Sequence, residues 1–206
     1  MSPRECHPYD GLKRVMDVGL SAVGLVVSAP LQLAIAAVVL AALGRPVLFR
    51  QQRPGRDGVV FELVKFRTMR HPDATHVTDA ERLTRVGRGL RSTSLDELPS
   101  LWNVLKGDMS LVGPRPLRVY YLSRYTPQQA RRHDVRPGIT GLAQVNGRNL
   151  LTWEHRFELD VDYVERRSLR LDLQIMGQTA LLVLGRTGIA ADGAATMTPF
   201  LGSPGD

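Results

Sequence analysis

Residues 18–43 decide the fold class, and they read VGLSAVGLVVSAPLQLAIAAVVLAAL. This stretch contains no charged residue and shows no amphipathic stripe, so it does not suit a surface helix of a soluble domain. A straight helix of this length would reach about 39 Å, whereas the hydrocarbon core of a bilayer is about 30 Å thick. The stretch therefore predicts a helix that enters a membrane.

Pro30 lies near the middle of this helix, where it removes a backbone N–H and favours a kink. Two arms of about 18–20 Å each would then enter and leave by one face of the membrane. A kinked helix that spans the bilayer is the alternative, whereas a cleaved signal peptide would have an apolar run about half as long. The flanking charges alone do not decide between the re-entrant helix and the spanning helix, although basic residues at both ends suit a common cytoplasmic side. These basic residues are Lys13, Arg14, Arg45, Arg50, Arg53 and Arg56.

Composition limits the classes to which the rest of the chain can belong. With 206 residues, 43% of them hydrophobic and 23% charged, the chain is long enough for one folded domain. The net charge is +7, and all but Lys13, Lys65 and Lys106 of the 27 basic residues are arginines. Because arginine pairs with phosphate oxygens, we expect a polyphosphate, a nucleic acid or an anionic membrane as partner. Cys6 stands alone, which excludes a disulfide framework.

The pattern that follows residue 44 predicts an α+β fold that is mainly helical, with a short β-hairpin. The hairpin is expected from two apolar runs, 47–49 and 59–64, joined by an Arg-Asp-Gly turn. Amphipathic helices, some suited to a membrane interface, are expected from apolar periodicity and capping residues. They are predicted at 98–105, from Thr126 onward, at 153–164 and at 171–184. The predicted units are a membrane-associated helix at 1–44, a folded domain at 45–190 and a loose tail at 191–206.

The most informative polar stretch is RSTSLDELP at 91–99, which contains two adjacent carboxylates. One interpretation is structural, because Ser94 and Glu97 have the spacing of a capping box at a helix start. The other interpretation is functional: free N–H groups at a helix start attract phosphate, while Asp96 and Glu97 bind a divalent metal and supply a nucleophile. The residues alone leave both interpretations open.

Three rigid loops each carry one arginine: Pro-Arg-Pro at 114–116, Arg-Pro-Gly at 136–138 and Asn-Gly-Arg at 146–148. Each turn is ordinary by itself, but together they are typical of a set that clamps phosphate. The segment VKFRTM at 64–69 adds two cations to this set. The predicted phosphate-binding residues of these segments are Arg115, Arg136, Arg148, Lys65 and Arg67.

Two other classes of function stay open on composition. A basic nucleic-acid-binding protein fits the charge, but aromatic residues make up only 6% of the chain and no nucleic-acid recognition motif is visible. An inactive membrane-anchored scaffold would use the carboxylates and arginines for structure alone. No P-loop or Rossmann fingerprint is present either.

Four long strings together resemble the bacterial sugar transferases called monotopic polyprenyl-phosphate phosphoglycosyltransferases. They are FRQQRPGRDG (49–58), VKFRTM (64–69), RSTSLDELPSLWNVLKGDMSLVGPRPL (91–117) and RHDVRPGITGLAQVNGRN (132–149). Their length and order make the resemblance specific over most of the chain. The chain looks most like the small members that transfer N,N'-diacetylbacillosamine 1-phosphate.

The resemblance implies transfer of a sugar 1-phosphate from a UDP-sugar to undecaprenyl phosphate, with release of UMP and with Mg²⁺ as cofactor. Asp96 matches the nucleophile, which forms a covalent aspartyl phospho-sugar, and Glu97 matches the adjacent metal-binding residue. The arginines that match the motifs of the family are Arg91, Arg115 and Arg148.

The resemblance also implies a place in the cell. It puts the catalytic domain on the cytoplasmic face of the bacterial inner membrane, in contact with lipids and with no nucleic acid. The family has a re-entrant helix broken at Ser-Pro, and the corresponding residues here are Ser28 and Pro30, separated by Ala29. The identity of the sugar, the glycan pathway and a possible homo-oligomer are left open.

Overall fold

The structure, a computed structural model, describes residues 7–72, 77–147, 151–185 and 199–202. This part of the chain is mainly helical, as the sequence predicted, and it contains two small two-stranded sheets. Its α-helices are α1 (Tyr9–Leu43), α2 (Asp79–Arg82), α3 (Arg85–Ser92), α4 (Leu101–Lys106), α5 (Pro127–Ala130), α6 (Leu142–Val145), α7 (Trp153–Arg166) and α8 (Leu169–Gly185). Its strands are β1 (Leu48–Pro54), β2 (Val60–Phe66), β3 (Ser110–Val112) and β4 (Gly138–Thr140).

The predicted hairpin is confirmed. Strands β1 and β2 pair antiparallel, with Leu48 opposite Phe66 and Pro54 opposite Val60. The turn between them contains Asp57 at φ 61°, a left-handed conformation that Asp tolerates better than most residues. On β2, the alternating Phe61 and Leu63 are buried and pack with apolar side chains around Val104, so this strand presents one face to the core.

The second sheet was not predicted from the sequence. Strands β3 and β4 pair in parallel through Ser110 opposite Gly138 and Val112 opposite Thr140. They approach so closely that a Cβ on Gly138 would lie 2.1 Å from the Gly113 nitrogen. Strands of three residues show too little periodicity to be recognised. Because both strands run in the same direction, the loops that follow them lie at one edge of the sheet.

Helix α1 is continuous for 35 residues and passes through Pro30. The break predicted at Ser28 and Pro30 is therefore not observed as an end of the helix. The polar side chains around the proline give a physical reason. The Ser28 hydroxyl donates to the Gly24 carbonyl at 2.5 Å, and Gln32 Nε2 donates to the Ser28 oxygen at 2.9 Å. Such side-chain bonds satisfy polar groups near the proline and let the helix continue.

Both ends of α1 contact the same folded domain. Near its start, the Asp17 carboxylate accepts hydrogen bonds from the Ser110 hydroxyl at 3.1 Å and the Leu111 N–H at 3.0 Å. Near its end, Ile35 and Val39 are buried in an apolar cluster with residues of β2 and α3. Between these ends, apolar side chains are left exposed. In the described part of the chain, α1 is the one helix long and apolar enough to cross a membrane.

The other predicted helices are confirmed as α4, α5, α7 and α8, with small differences at their ends. Helix α4 begins at Leu101, because Pro99 lies in a preceding 3₁₀ helix (Leu95–Ser100). Helix α5, which was predicted from Thr126 onward, begins with a capping box of Thr126 and Gln129. The prediction of a loose tail is wrong at Phe200, which is 2% exposed in a cluster of aromatic side chains. Burial of an aromatic ring holds that part of the tail against the domain.

Candidate active site

The two adjacent carboxylates lie in the 3₁₀ helix Leu95–Ser100, directly after α3. The predicted capping box is wrong, because Ser94 is left-handed, with φ 56° and ψ 15°, and its side chain caps no N–H. Ser94 instead follows the end of α3, where a left-handed residue commonly reverses the chain. The reversal presents Asp96 and Glu97 to the hairpin.

Side-chain hydrogen bonds attach this 3₁₀ helix and α4 to β2. The Ser100 hydroxyl donates to the Val64 carbonyl at 2.8 Å. Asn103 accepts from the Val64 N–H at 3.1 Å and donates to the Glu62 carbonyl at 2.7 Å. These bonds occupy an edge of the hairpin that a further strand would otherwise pair with. They also fix Lys65, the next residue of β2, beside Glu97.

Glu97 is held by two cations. Lys65 Nζ and Arg115 Nη2 both donate to Glu97 Oε1, the second at 2.9 Å. Burial alone would raise the pKa of Glu97, but the charges of Arg115 and Lys65 outweigh it and hold the pKa at about 2. Glu97 is therefore ionised at every physiological pH. Its second oxygen, Oε2, accepts no hydrogen bond from the described residues.

Asp96 differs sharply from its neighbour. Its side chain is buried, with 8% of the residue exposed, and its carboxylate accepts no hydrogen bond from the described part of the chain. Burial first, and then the charge of Glu97, raise the pKa of Asp96 to about 6. Two neighbouring carboxylates with separated pKa values are typical of sites where each has its own role. Among the described residues, no group donates to the Asp96 carboxylate, so its oxygens are available to a ligand.

Arg91, at the end of α3, completes the group of cations around the carboxylates. Its Nε donates to the Thr68 hydroxyl at 3.0 Å, and its charge acts on Asp96. Helix α3 packs very closely here, because a Cβ on Gly87 would lie 1.9 Å from the Thr68 carbonyl oxygen. Only glycine permits this approach, which brings the end of α3 toward the 3₁₀ helix.

A buried ion pair supports the loop that carries Arg115. Arg132 Nη2 donates to the Arg115 carbonyl at 2.7 Å and to Asp160 Oδ2 at 2.7 Å. Both side chains of this pair are at most 2% exposed. Neither residue was predicted from the sequence, although a signal was present. Asp160 lies on the apolar face of α7 with Phe157 and Val161, where a carboxylate requires a buried partner.

The structure brings Asp96, Glu97, Lys65, Arg91 and Arg115 together, but it places two other predicted residues elsewhere. Arg67 Nη2 donates to the Leu43 and Gly44 carbonyls, so Arg67 caps the end of α1. Arg136 Nε donates to the Gly107 carbonyl at 2.8 Å, and the charges that act on it are those of Arg14, Arg56, Asp17 and Asp10. The prediction for Arg148 lies outside the described residues.

The carboxylate pair fits a magnesium ion with few protein ligands. Mg²⁺ is usually bound by one or two carboxylates together with water and substrate phosphates. The Asp96 carboxylate and Glu97 Oε2 are both without hydrogen bonds from the described residues. The described residues contain no cluster of three or more His, Cys, Asp or Glu side chains, so further ligands would come from substrate and water. The donor set therefore suits Mg²⁺ carried with a diphosphate.

The site combines a carboxylate that accepts no hydrogen bond from the described residues with a second carboxylate that cations fix. The same chain has a helix, α1, whose apolar middle is exposed. These features are those of an enzyme that transfers phosphoryl groups beside a membrane. A family model described as bacterial sugar transferase matches residues 8–186, and the chain belongs to this family. The prediction that the chain is an enzyme, a phosphoglycosyltransferase, is confirmed.

Several curated proteins are similar to the chain. Uncharacterized sugar transferase EpsL of Bacillus subtilis (strain 168) is 50% identical over 195 residues, which are 93% of this chain and 96% of that protein. UDP-glucose:undecaprenyl-phosphate glucose-1-phosphate transferase of Caulobacter vibrioides is 44% identical over 181 residues, 81% of this chain and 67% of that protein. Undecaprenyl-phosphate galactose phosphotransferase of Salmonella typhimurium is 39% identical over 197 residues, 86% of this chain and 41% of that protein.

Proposed function

We propose that the chain transfers a sugar 1-phosphate from a UDP-sugar to undecaprenyl phosphate and releases UMP. The observation that carries this proposal is the Asp96 carboxylate, which accepts no hydrogen bond from the described residues and lies beside Glu97. Lys65 and Arg115 keep Glu97 ionised. The names of the Caulobacter and Salmonella relatives support the general reaction. They name glucose and galactose, so diacetylbacillosamine stays a prediction.

The first step is attack by the Asp96 carboxylate on the β-phosphorus of the UDP-sugar. An oxygen of Asp96 bonds to phosphorus, the bond from phosphorus to the bridging oxygen breaks, and UMP leaves with that oxygen and its electron pair. Because nucleophile and substrate are both anionic, the cations of the site must neutralise the charge that develops. Arg91 and Arg115 both act on the charge of Asp96, and Mg²⁺, when bound, would supply further neutralisation of the diphosphate.

The second step is attack by undecaprenyl phosphate on the phospho-sugar carried by Asp96. An oxygen of the lipid phosphate bonds to phosphorus, and the bond to Asp96 breaks, which restores the carboxylate. Neither step requires a proton transfer, because both attacking groups are anions. A covalent intermediate lets the two anionic substrates react one after the other instead of meeting directly.

The pKa of Asp96 predicts how the reaction depends on pH. Because the carboxylate attacks only when ionised, kcat/KM for the UDP-sugar should rise with pH through a midpoint near 6. Arg91→Gln removes a positive charge that lowers the pKa of Asp96, so the midpoint should move to higher pH. Arg88→Gln, an exposed change in the same helix, should leave it unmoved. A profile that is flat from about pH 5 to about pH 8 would count against Asp96 as the nucleophile.

We also propose that α1 is re-entrant and that the catalytic domain faces the cytoplasm. The ends of α1 both bond to one domain, through Asp17 and through the Leu43 carbonyl, which accepts from Arg67. A straight helix of 35 residues would be about 52 Å long. If it crossed the bilayer, one end would lie on the far side, away from the domain. The middle of α1 is apolar and exposed, with Val26 at 75% and Val27 at 74%, which suits contact with lipid tails.

Cysteine labelling tests this topology. In a background with Cys6→Ser, Leu12→Cys and Arg45→Cys place a thiol at either end of α1, where both residues are exposed. We expect a membrane-impermeant maleimide to label neither site in intact cells and both in inverted vesicles. Val26→Cys should resist labelling in both preparations until detergent is added. Labelling of one end in intact cells would show a spanning helix instead.

A product assay tests the reaction itself. The purified chain is incubated with undecaprenyl phosphate, Mg²⁺ and a panel of UDP-sugars that includes the glucose, galactose and diacetylbacillosamine derivatives. We expect UMP release and a lipid-linked sugar diphosphate with one member of the panel. Release of UDP would instead show transfer of the sugar without its phosphate, and removal of Mg²⁺ with a chelator should stop UMP release.

A further inference from the structure

Arg53, on β1, is a cation that the site described above does not use. Its Nη1 donates to the Pro116 carbonyl at 3.2 Å and its Nη2 to Gln51 Oε1 at 2.6 Å, and both acceptors are neutral. Its Nε is buried and has no hydrogen-bond partner among the residues that the structure describes. No carboxylate in the described ranges forms an ion pair with it. A partly buried guanidinium without a counter-charge costs free energy unless an anion joins it.

Two further arginines lie close enough to act on Arg53. Burial, together with the charges of Arg115 and Arg118, lowers the pKa of the Arg53 guanidinium to about 10. Arg118 is exposed, and its side chain has no partner within the part of the chain that the structure describes. Pro116, whose carbonyl Arg53 binds, lies in the chain between these two arginines. Arg53 thus lies near two like charges, and one of them, Arg115, is bonded to Glu97.

The charges of the site and its surroundings do not balance. Among the described residues, the charge of Arg115 acts on two carboxylates, Asp96 and Glu97, and on four other cations. These cations are Lys65, Arg91, Arg53 and Arg156, and Arg118 acts in turn on Arg53. Lys65 and Arg115 are bonded to Glu97, whereas Arg53 and Arg118 have no carboxylate partner in the described ranges. An excess of guanidinium groups next to a phosphoryl-transfer site is suited to an additional phosphate.

We propose that Arg53 and Arg118 form a phosphoryl subsite next to Arg115. This subsite holds the phosphate that is not being transferred. This inference rests on the proposed two-step reaction. In the first step the subsite holds the α-phosphate of the UDP-sugar, which leaves as UMP. In an in-line displacement the leaving oxygen departs opposite the attacking one.

The same geometry assigns the subsite a second occupant. Asp96 stays bonded to phosphorus after the first step, so undecaprenyl phosphate must attack from the side that UMP has left. The phosphate of the lipid therefore takes the position of the α-phosphate. The same two arginines bind first the phosphate of the departing UMP and then the phosphate of the arriving lipid. Both ligands are phosphate monoesters.

Binding of UMP and of the lipid to variants tests the shared subsite. Arg53→Gln removes the guanidinium, and we expect the dissociation constant of UMP, measured by calorimetry on the full chain in detergent, to rise about 10- to 100-fold. The KM for undecaprenyl phosphate should rise by a similar factor. Arg50→Gln is the matched control on the same strand, because Arg50 is exposed and pairs with Glu62. It should change neither quantity.

Arg118→Gln covers the case in which Arg53→Gln fails to fold after losing its bond to Pro116. Arg118 is exposed, so its loss should leave the thermal unfolding temperature unchanged and still weaken UMP binding several-fold. A folded Arg53→Gln or Arg118→Gln chain that binds UMP like wild type would overturn the proposal. If only one of the two quantities rises, the dissociation constant of UMP or the KM for undecaprenyl phosphate, the result would overturn the claim that both ligands use one subsite. UMP binding needs no turnover, so a wild-type chain that binds UMP through Arg53 but transfers no sugar would refute the proposed function alone.

Discussion

Asp96→Asn should abolish sugar-phosphate transfer, with a loss of at least about 10⁴-fold in UMP release. The amide keeps the shape of the side chain but cannot form an acyl phosphate. The loss should occur without unfolding. Because the pKa of Asp96 is raised to about 6 from 3.8, its ionised form destabilises the fold above that range. The thermal unfolding temperature of the Asn variant at neutral pH should therefore equal or exceed that of wild type.

The covalent intermediate gives a second measurement of the same prediction. With a UDP-sugar and no lipid acceptor, the wild-type chain should release about one UMP per molecule and gain the mass of one sugar phosphate on Asp96. The Asn variant should do neither. Asp162→Asn, the same change at an exposed pair with Arg166 on α7, is the control and should retain full activity. Near-normal transfer by Asp96→Asn would contradict the role of Asp96 as the nucleophile.

The elements that the sequence predicted correctly are those with local signals. The hairpin has a turn at residues 56–58 and alternating side chains on β2, and α7 has an apolar stripe; each is visible within a short window. Strands β3 and β4 have no such signal, because their pairing depends on glycines that let distant backbones meet. The capping box predicted from Ser94 and Glu97 did not form, because residues distant in the sequence decide where the Glu97 side chain bonds. Glu97 bonds to Lys65 and Arg115, and these charged partners outweigh a local backbone N–H.

The arginines show the same limit at the site. The sequence motifs predicted one group of Asp96, Glu97 and Arg115, and the structure brings these residues together. It also assigned Arg67 and Arg136 to phosphate, but both donate to backbone carbonyls. A sequence shows that a residue is a cation; it does not show which carbonyl, carboxylate or empty space lies opposite. That distinction requires the packing of α1, α3 and the 3₁₀ helix around β2.

Asp172→Asn should be among the most destabilising single changes in the described chain. Asp172 is 3% exposed and joins three helices. Its Oδ2 accepts from the Tyr9 hydroxyl at 2.7 Å and from Lys13 Nζ at 2.5 Å, and its Oδ1 accepts from the Tyr163 hydroxyl at 2.8 Å. The Asn variant leaves Lys13 as a buried cation without a counter-charge. Removing one partner of a buried ion pair costs about 3–5 kcal/mol, or roughly 10 °C in Tm for a chain of this size.

A double variant separates loss of the charge pair from loss of packing. Lys13→Met with Asp172→Leu replaces both charges by apolar groups of similar volume, and it should recover most of the Tm that Asp172→Asn loses. Asp162→Asn, with its exposed partner, should lower Tm by no more than about 2 °C. Because Lys13 lies in α1 and Asp172 in α8, this pair attaches the start of α1 to α8. If Asp172→Asn melts with wild type, the other contacts of this part of α1 are sufficient for the attachment, among them the Asp10–Arg167 ion pair and the hydrogen bonds of Asp17.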